Sequence, residues 1–127
     1  MLPAQARLRR RPEFTAVVRS GRRAGRPTMV LHYLPERPVT PTSGDAGTAG
    51  GPRAGFVVGK AVGNSVVRHQ VTRRLRAVVR DELDRLPPTA DLVVRARPDA
   101  ATATSQDLRR DLAAGLDRLL EPRVRAS

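Results

Sequence analysis

A chain of 127 residues with 24 Lys+Arg, 12 Asp+Glu and a net charge of +12 is expected to form one domain, residues 1–127, that meets a polyanion. It has no cysteine, which excludes a disulfide framework and a thiolate metal site, and Phe14, Phe56 and Tyr33 are its only aromatics, so its core must be aliphatic. No apolar run approaches the roughly 20 residues that cross a bilayer and Met1–Arg7 lacks the apolar stretch of a secretory signal, so a cytoplasmic location is expected.

The first residues are basic and low in structure, with a flexible N-terminus at about 1–8. Pro12 and Glu13 suit a helix's first turn, where proline is tolerated and an acid meets the positive dipole end. Phe14, Val17 and Val18 give that helix an apolar face, and Ser20-Gly21 stops it. Residues 22–27 read as a basic connector. Thr28 to Leu34 is β-rich and reads as a strand. Residues 35–52 are Pro, Gly, Thr, Ser and Ala with little apolar bulk, a flexible loop (about 36–52) at the tip of a long hairpin. Arg53 to Gly59, containing Phe56-Val57-Val58, is the returning strand. A tight connector around Val62 leads to Asn64, a good N-cap. A helix follows from about Ser65 to Leu86, ended by Pro87-Pro88. Asp91 to Arg97 is another strand, stopped by Pro98. Thr104 to Asp107 resembles a capping box with Asp in place of Glu. The last helix reaches about Leu120, with Leu108, Leu112, Leu116, Leu119 and Leu120 on one side, before a loose tail at 121–127.

The helix from Ser65 carries the functional signal. At about 100° per residue, Val67, Val71, Leu75, Val78, Val79, Leu83 and Leu86 form a core stripe. His69, Arg73, Arg76 and Arg80 lie within about 60° of one another on the opposite side. Arg68 and Arg74 flank the stripe and reach outward on their stems. The charge is one-signed, begins at a helix N-terminus and follows a glycine turn. Both of those features aim backbone N–H groups at phosphate. The whole chain shows the same polarity: residues 1–80 hold 16 basic and 3 acidic side chains, whereas 81–127 hold 8 and 9. Only Lys60 is a lysine among the cations. Arginine's planar fork suits phosphate, although a GC-rich genome would also favour arginine. A solvated helix face is the bland alternative to a phosphate-binding one.

Protein-based catalysis finds no support. His32 and His69 lie on different elements, and neither has a partnering Ser or Cys motif. Asp81, Glu82 and Asp84 read as salt-bridge partners for Arg76, Arg80 and Arg85. No catalytic and no metal-ligating residue is expected, and any magnesium would be held mainly by RNA phosphates. A helix-turn-helix reading of the basic helix lacks its upstream partner helix.

The run Lys60, Val62-Gly63-Asn64, Ser65-Val66-Val67, Arg68-His69-Gln70-Val71-Thr72-Arg73-Arg74-Leu75-Arg76 resembles the signature of the protein subunit of bacterial ribonuclease P. That signature is a lysine, valine-glycine-asparagine, a few small apolar residues, and a helix rich in arginine. Arg7-Leu8, Phe14, Val18 and Gly21-Arg22 are similar to that family's first helix, and Val30 to Leu34 to its first strand. Arg53 to Val58 are similar to the strand before the signature, and Val93 to Pro98 to the last strand and its exit. The likeness covers about 7 to 120, interrupted at 37–52. His69 stands where the family usually has asparagine, Gln70 where it often has arginine, and Thr72 where it often has lysine. Val18 and His32 stand where aromatics are common.

The resemblance implies an α+β fold: a small two-layer sandwich in helix-strand-strand-strand-helix-strand-helix order, with a left-handed crossover around the basic helix. It implies a ribonucleoprotein whose catalyst is a large RNA using magnesium to remove the 5′ leader of precursor tRNA. The protein's partners would be the catalytic RNA subunit and precursor tRNA, with no membrane and no DNA. Lys60, Asn64, Arg68, His69, Arg73, Arg74 and Arg76 would bind the catalytic RNA. Phe14, Val18, His32, Phe56 and Val58 would line a cleft for the single-stranded leader between the first helix and the sheet. Phe14 and Phe56 as plain core residues, His32 as a satisfied strand residue and His69 as merely exposed remain alternatives. A structural ribosomal-type RNA-binding protein and, less so, a DNA-binding regulator are the alternatives for the whole chain.

Overall fold

The computed structural model describes Leu8, residues 11–36 and residues 51–120. The expected flexible segments fall outside these, apart from Leu8, Glu36, Gly51 and Pro52. Leu8 corrects the expectation at its own position: it is buried, and its N–H donates to the Ala54 carbonyl at 2.9 Å.

Helix α1 (Arg11–Ser20) begins with the proline and glutamate that suit a first turn. Strand β1 (Arg22–Gly25) pairs antiparallel with β2 (Met29–Leu34) through a tight turn. Four of the six residues 22–27 are therefore strand, not connector. Their arginines hid it, because an edge strand can expose charged side chains. Strand β3 (Arg53–Val57), helix α2 (Ser65–Glu82), strand β4 (Asp91–Ala96) and helix α3 (Ser105–Leu120) follow.

The sheet order is β1-β2-β4-β3, with β2 antiparallel and β3 parallel to β4. This overturns the hairpin expected between β2 and β3. The two strands are never neighbours, because β4, arriving later in the chain, inserts between them and carries α2 as the crossover. Apolarity alone identifies strands but not which of them pair. The α2 helix also ends earlier than Leu86: Leu83–Arg85 tightens into a 3-10 turn before Pro87.

Alternation along the strands assigns the two faces. Met29, Leu31, Tyr33, Ala54, Leu92, Val94 and Ala96 join Val71, Leu75, Val78 and Val79 of α2 and Leu108, Leu112, Leu116 and Leu119 of α3 in the main core. Val93 faces the other way and packs with Val17 of α1 and with Leu8, flanked by Phe14 and Leu34. Thus α2 and α3 form the helical layer on one face, and α1 lies across the other.

Polar anchors fix these layers. Arg53 Nε and NH2 donate to both carboxylate oxygens of buried Asp91, at 2.9 and 2.8 Å, while its NH1 reaches Glu13 of α1 at 3.0 Å. Buried Asp111 of α3 accepts from the Thr28 N–H at 3.0 Å and its hydroxyl at 2.6 Å. The α3 capping box forms as the sequence implies: the Thr104 N–H donates to Asp107 and the Asp107 N–H to the Thr104 hydroxyl, both at 3.0 Å. Those bonds and Arg110 hold the Asp107 carboxyl below its usual range.

Candidate RNA interface

Strand β3 runs out at Val57, and consecutive turns close the connector. The Val62 N–H reaches Gly59 O and the Gly63 N–H reaches Lys60 O, each at 3.1 Å. Val62 is buried in the main core, which leaves Lys60 exposed at the tip. A Cβ on Gly63 would stand 2.8 Å from the Val67 side chain, so the turn packs closely against the helix it feeds. Asn64 caps α2 by accepting from the Val67 N–H at 3.0 Å. No acid stands in the first turn of α2, so its positive dipole end is uncompensated from within the helix.

His69, Arg73 and Arg80 are exposed on the side of α2 away from the core, as the helical spacing implies. Arg76 beside them is half-buried, with its Nε enclosed and without a hydrogen-bond partner among the described residues. Arg68 is likewise half-buried, its Nε without a partner among the described residues, because its position falls within the core-facing arc one turn before Val71 and two before Leu75. It does not merely flank the stripe. Arg74 departs from the expected ridge too: its NH1 donates to the Ala103 carbonyl at 3.3 Å, turning the side chain toward α3.

The acids behave differently from the sequence reading. Glu82 does pair with Arg85, at 3.1 Å, and Arg85 also takes Asp117 at 2.5 Å. Asp81 instead pairs with Arg109 of α3 at 2.8 Å. Consequently, among the described residues, Arg68, Arg73, Arg76 and Arg80 are in no ion pair. A row of like charges with no internal counter-ion is a cost that an external anion removes.

The opposite sheet face carries a second constellation. There α1 starts at the Arg53–Glu13 bond and ends at Gly21, whose added Cβ would meet the Tyr33 carbonyl at 2.5 Å. It thus spans the end of the sheet where β3 and β4 begin. Phe14 packs directly against β3: a Cβ on Gly55 would come within 2.4 Å of its ring. Val18 is 42% exposed and Val57 37% exposed on the same face. His32 sits in register between Arg23 of β1 and Val93 of β4. Burial first, then the Arg95 and Arg23 guanidiniums, push its imidazole below the ordinary histidine range. Its Nε2 is enclosed and has no partner among the described residues, contrary to the satisfied strand histidine of the alternative reading.

The structure therefore brings Phe14, Val18 and His32 together on one face but not Phe56 and Val58. Those two alternate with Gly55 and Val57, point to the other face and pack against the main core. Val57, Arg23 and Arg95 stand where Phe56 and Val58 were expected, and the sequence reading missed them. A signal was present: a glycine inside a strand marks close backbone approach, which puts Gly55 under Phe14 of α1 and, by alternation, Val57 on that same face. Among the described residues no group of three or more His, Asp or Glu side chains is arranged to hold a metal ion, and no helix is long and apolar enough to cross a membrane.

These features define a class: a small α+β sandwich whose crossover helix carries arginines with no ion-pair partner among the described residues, with exposed valines and arginines beside α1 on the other face of the sheet. The family model for ribonuclease P matches residues 2–120. The ribonuclease P protein component of Corynebacterium diphtheriae is 52% identical over 119 residues, covering 94% of this chain and 97% of that protein. That of Streptomyces griseus is 53% identical over 120 residues, covering 94% and 96%. The chain belongs to the ribonuclease P protein family. Its fold is also that of the Staphylococcus aureus ribonuclease P protein, with a TM-score of 0.71 at 19% identity over 89% of this chain and 94% of that one. The Thermotoga maritima protein gives 0.69 at 22% identity over 88% and 96%.

Proposed function

We propose that this chain is the protein subunit of a ribonucleoprotein ribonuclease P. In this reading it binds the catalytic RNA and the 5′ leader of precursor tRNA, and promotes magnesium-dependent endonucleolytic removal of the leader to give the mature tRNA 5′ end. The observation that carries it is the row of α2 arginines with no ion-pair partner among the described residues, running from Arg68 near the capped start to Arg80 in the last turn of a helix with no first-turn acid, in a chain of this family. The protein supplies no nucleophile. The described residues do not form a cage for magnesium, which on this reading stays with RNA phosphates.

Two surfaces divide the work. Lys60, Asn64, Arg68, His69, Arg73, Arg74 and Arg76 meet the catalytic RNA, where neutralising phosphates releases counter-ions and favours the compact RNA. Phe14, Val18 and His32, joined by Val57 and edged by Arg23 and Arg95, receive the leader. Unstacked nucleotides gain from apolar and aromatic contact beside a cationic rim. With two valines and a neutral imidazole where a row of aromatics would stack, contact is by packing and hydrogen bonding more than by ring stacking.

The test compares precursor with mature tRNA. Val18→Ala with Val57→Ala should weaken the preference of the assembled ribonucleoprotein for precursor tRNA while sparing its assembly with the catalytic RNA. Equal loss of both would make the groove structural. No preference for precursor in the unaltered protein would favour a purely structural RNA binder.

A further inference from the structure

A crevice between α2 and the start of α3 borders the exposed ridge at Arg73. It is an open pocket of about 390 Å³ lined by Gln70, Arg73, Arg74, Ala77 and Ser105. Two arginines line it, and the small Ala77 beside them takes up little of the space. Arg74 is held over it by one hydrogen bond to Ala103 O, which leaves its other donors unspent.

The charge balance around this crevice is unusual. Helices α2 and α3 carry five carboxylates: Asp81, Glu82, Asp107, Asp111 and Asp117. Each is already engaged. Asp81 pairs with Arg109, and Glu82 and Asp117 with Arg85. Asp107 holds Arg110 and the Thr104 N–H, and Asp111 holds Thr28. None of the five lines the crevice. Arg73 and Arg74 therefore both line a space to which the two helices contribute no carboxylate, beside the exposed Ser105.

We infer that this crevice is a fixed seat for one phosphate of an RNA backbone, gripped by Arg73 and Arg74 with Gln70 and Ser105 as hydrogen-bonding neighbours. This deepens the RNA-subunit reading and rests on it. The inference makes α3 part of the RNA surface, and it explains why Arg74 turns away from the ridge. A guanidinium steadied by a carbonyl loses less freedom when it grips phosphate than a free one does.

The test uses Ala77→Glu in the full chain. Arg74→Ala would also remove the bond to Ala103, whereas glutamate at this exposed helical position supports the helix and places a carboxylate in the seat. Inorganic phosphate titrated into the isotope-labelled protein should shift the Gln70 and Ser105 amide signals saturably, and Ala77→Glu should abolish those shifts. Ser105 unmoved in the unaltered protein, or Ala77→Glu titrating like it, would overturn the inference. Against ribonuclease P RNA, Ala77→Glu should bind roughly tenfold more weakly at moderate salt, with the salt slope shallower by about one unit. Loss with the catalytic RNA alone assigns the phosphate to that RNA, and loss only on adding precursor tRNA assigns it to the substrate. Equal binding by both proteins removes the seat but leaves the functional reading intact. An unaltered protein that does not bind ribonuclease P RNA removes the reading itself, whatever inorganic phosphate does.

Discussion

Replacing Arg73 and Arg76 together by alanine separates charge that serves RNA from charge that serves the fold. Neither guanidinium has an ion-pair partner among the described residues, and the two residues are spaced i,i+3 on α2, with Arg80 a further turn along. Every RNA phosphate left without its guanidinium makes the dependence of log affinity on log salt shallower by about 0.7 to 0.9. The double variant should therefore lose about 1.4 to 1.8 units of slope. Between 50 and 200 mM salt, its affinity deficit should shrink roughly tenfold. Stability should respond differently. Relief of like-charge pairs returns a few tenths of a kcal/mol each, and lost packing of the half-buried Arg76 stem offsets it, so the net change stays within about 0.5 kcal/mol. Filter binding of ribonuclease P RNA across a salt series, beside urea unfolding, reads both quantities. An unchanged slope, or a stability loss of about 2 kcal/mol or more, would refute the reasoning, because these arginines would then belong to the fold.

Three further outcomes follow from the packing. Arg53→Ala takes from Asp91 its two-pronged partner and frees α1 from Glu13's anchor, and should cost about 2–4 kcal/mol in urea unfolding. Gly55→Ala drives a methyl into the Phe14 ring and should cost about 1–3 kcal/mol, with much of that recovered in the double variant with Phe14→Leu. His32 has its folded pKa lowered, so as pH falls through about 6.5 the unfolded chain takes up the proton first. Stability is then complete above that pH and declines toward the folded pKa, with a slope of up to about 1.4 kcal/mol per pH unit. His32→Asn should flatten that decline in unfolding measured from pH 7.5 to 5.5.

The sequence carried local structure well. Asn64, Thr104 and Asp107 cap where side-chain oxygens meet free N–H groups, and the leucines of α3 and the valines of α2 pack as their spacing requires. Pairing was less legible. Strand β1 is written in arginine and glycine, and β4 enters between β2 and β3 from 34 residues past the end of β3, so nothing local to the loop at 35–52 reveals it. At the site, helical spacing placed His69, Arg73 and Arg80 correctly. It could not show that Arg74 finds Ala103, that Asp81 finds Arg109, or that Arg68 turns inward, because each depends on what packs beside α2. The groove residues divided for a simple reason. Alternation in β3 forces Phe56 and Val57 apart, and only the position of α1 says which face it covers; the aromatic side chain drew attention to the core-facing one.

Cleavage of precursor tRNA by ribonuclease P RNA at low magnesium, with and without this protein, tests the central claim most directly. The protein should raise cleavage at the mature 5′ end under conditions where the RNA alone is nearly inactive, and the Arg73→Ala, Arg76→Ala variant should need more protein to do so. Cleavage unaffected by the protein, or cleavage that proceeds in its presence without the RNA, would contradict the account.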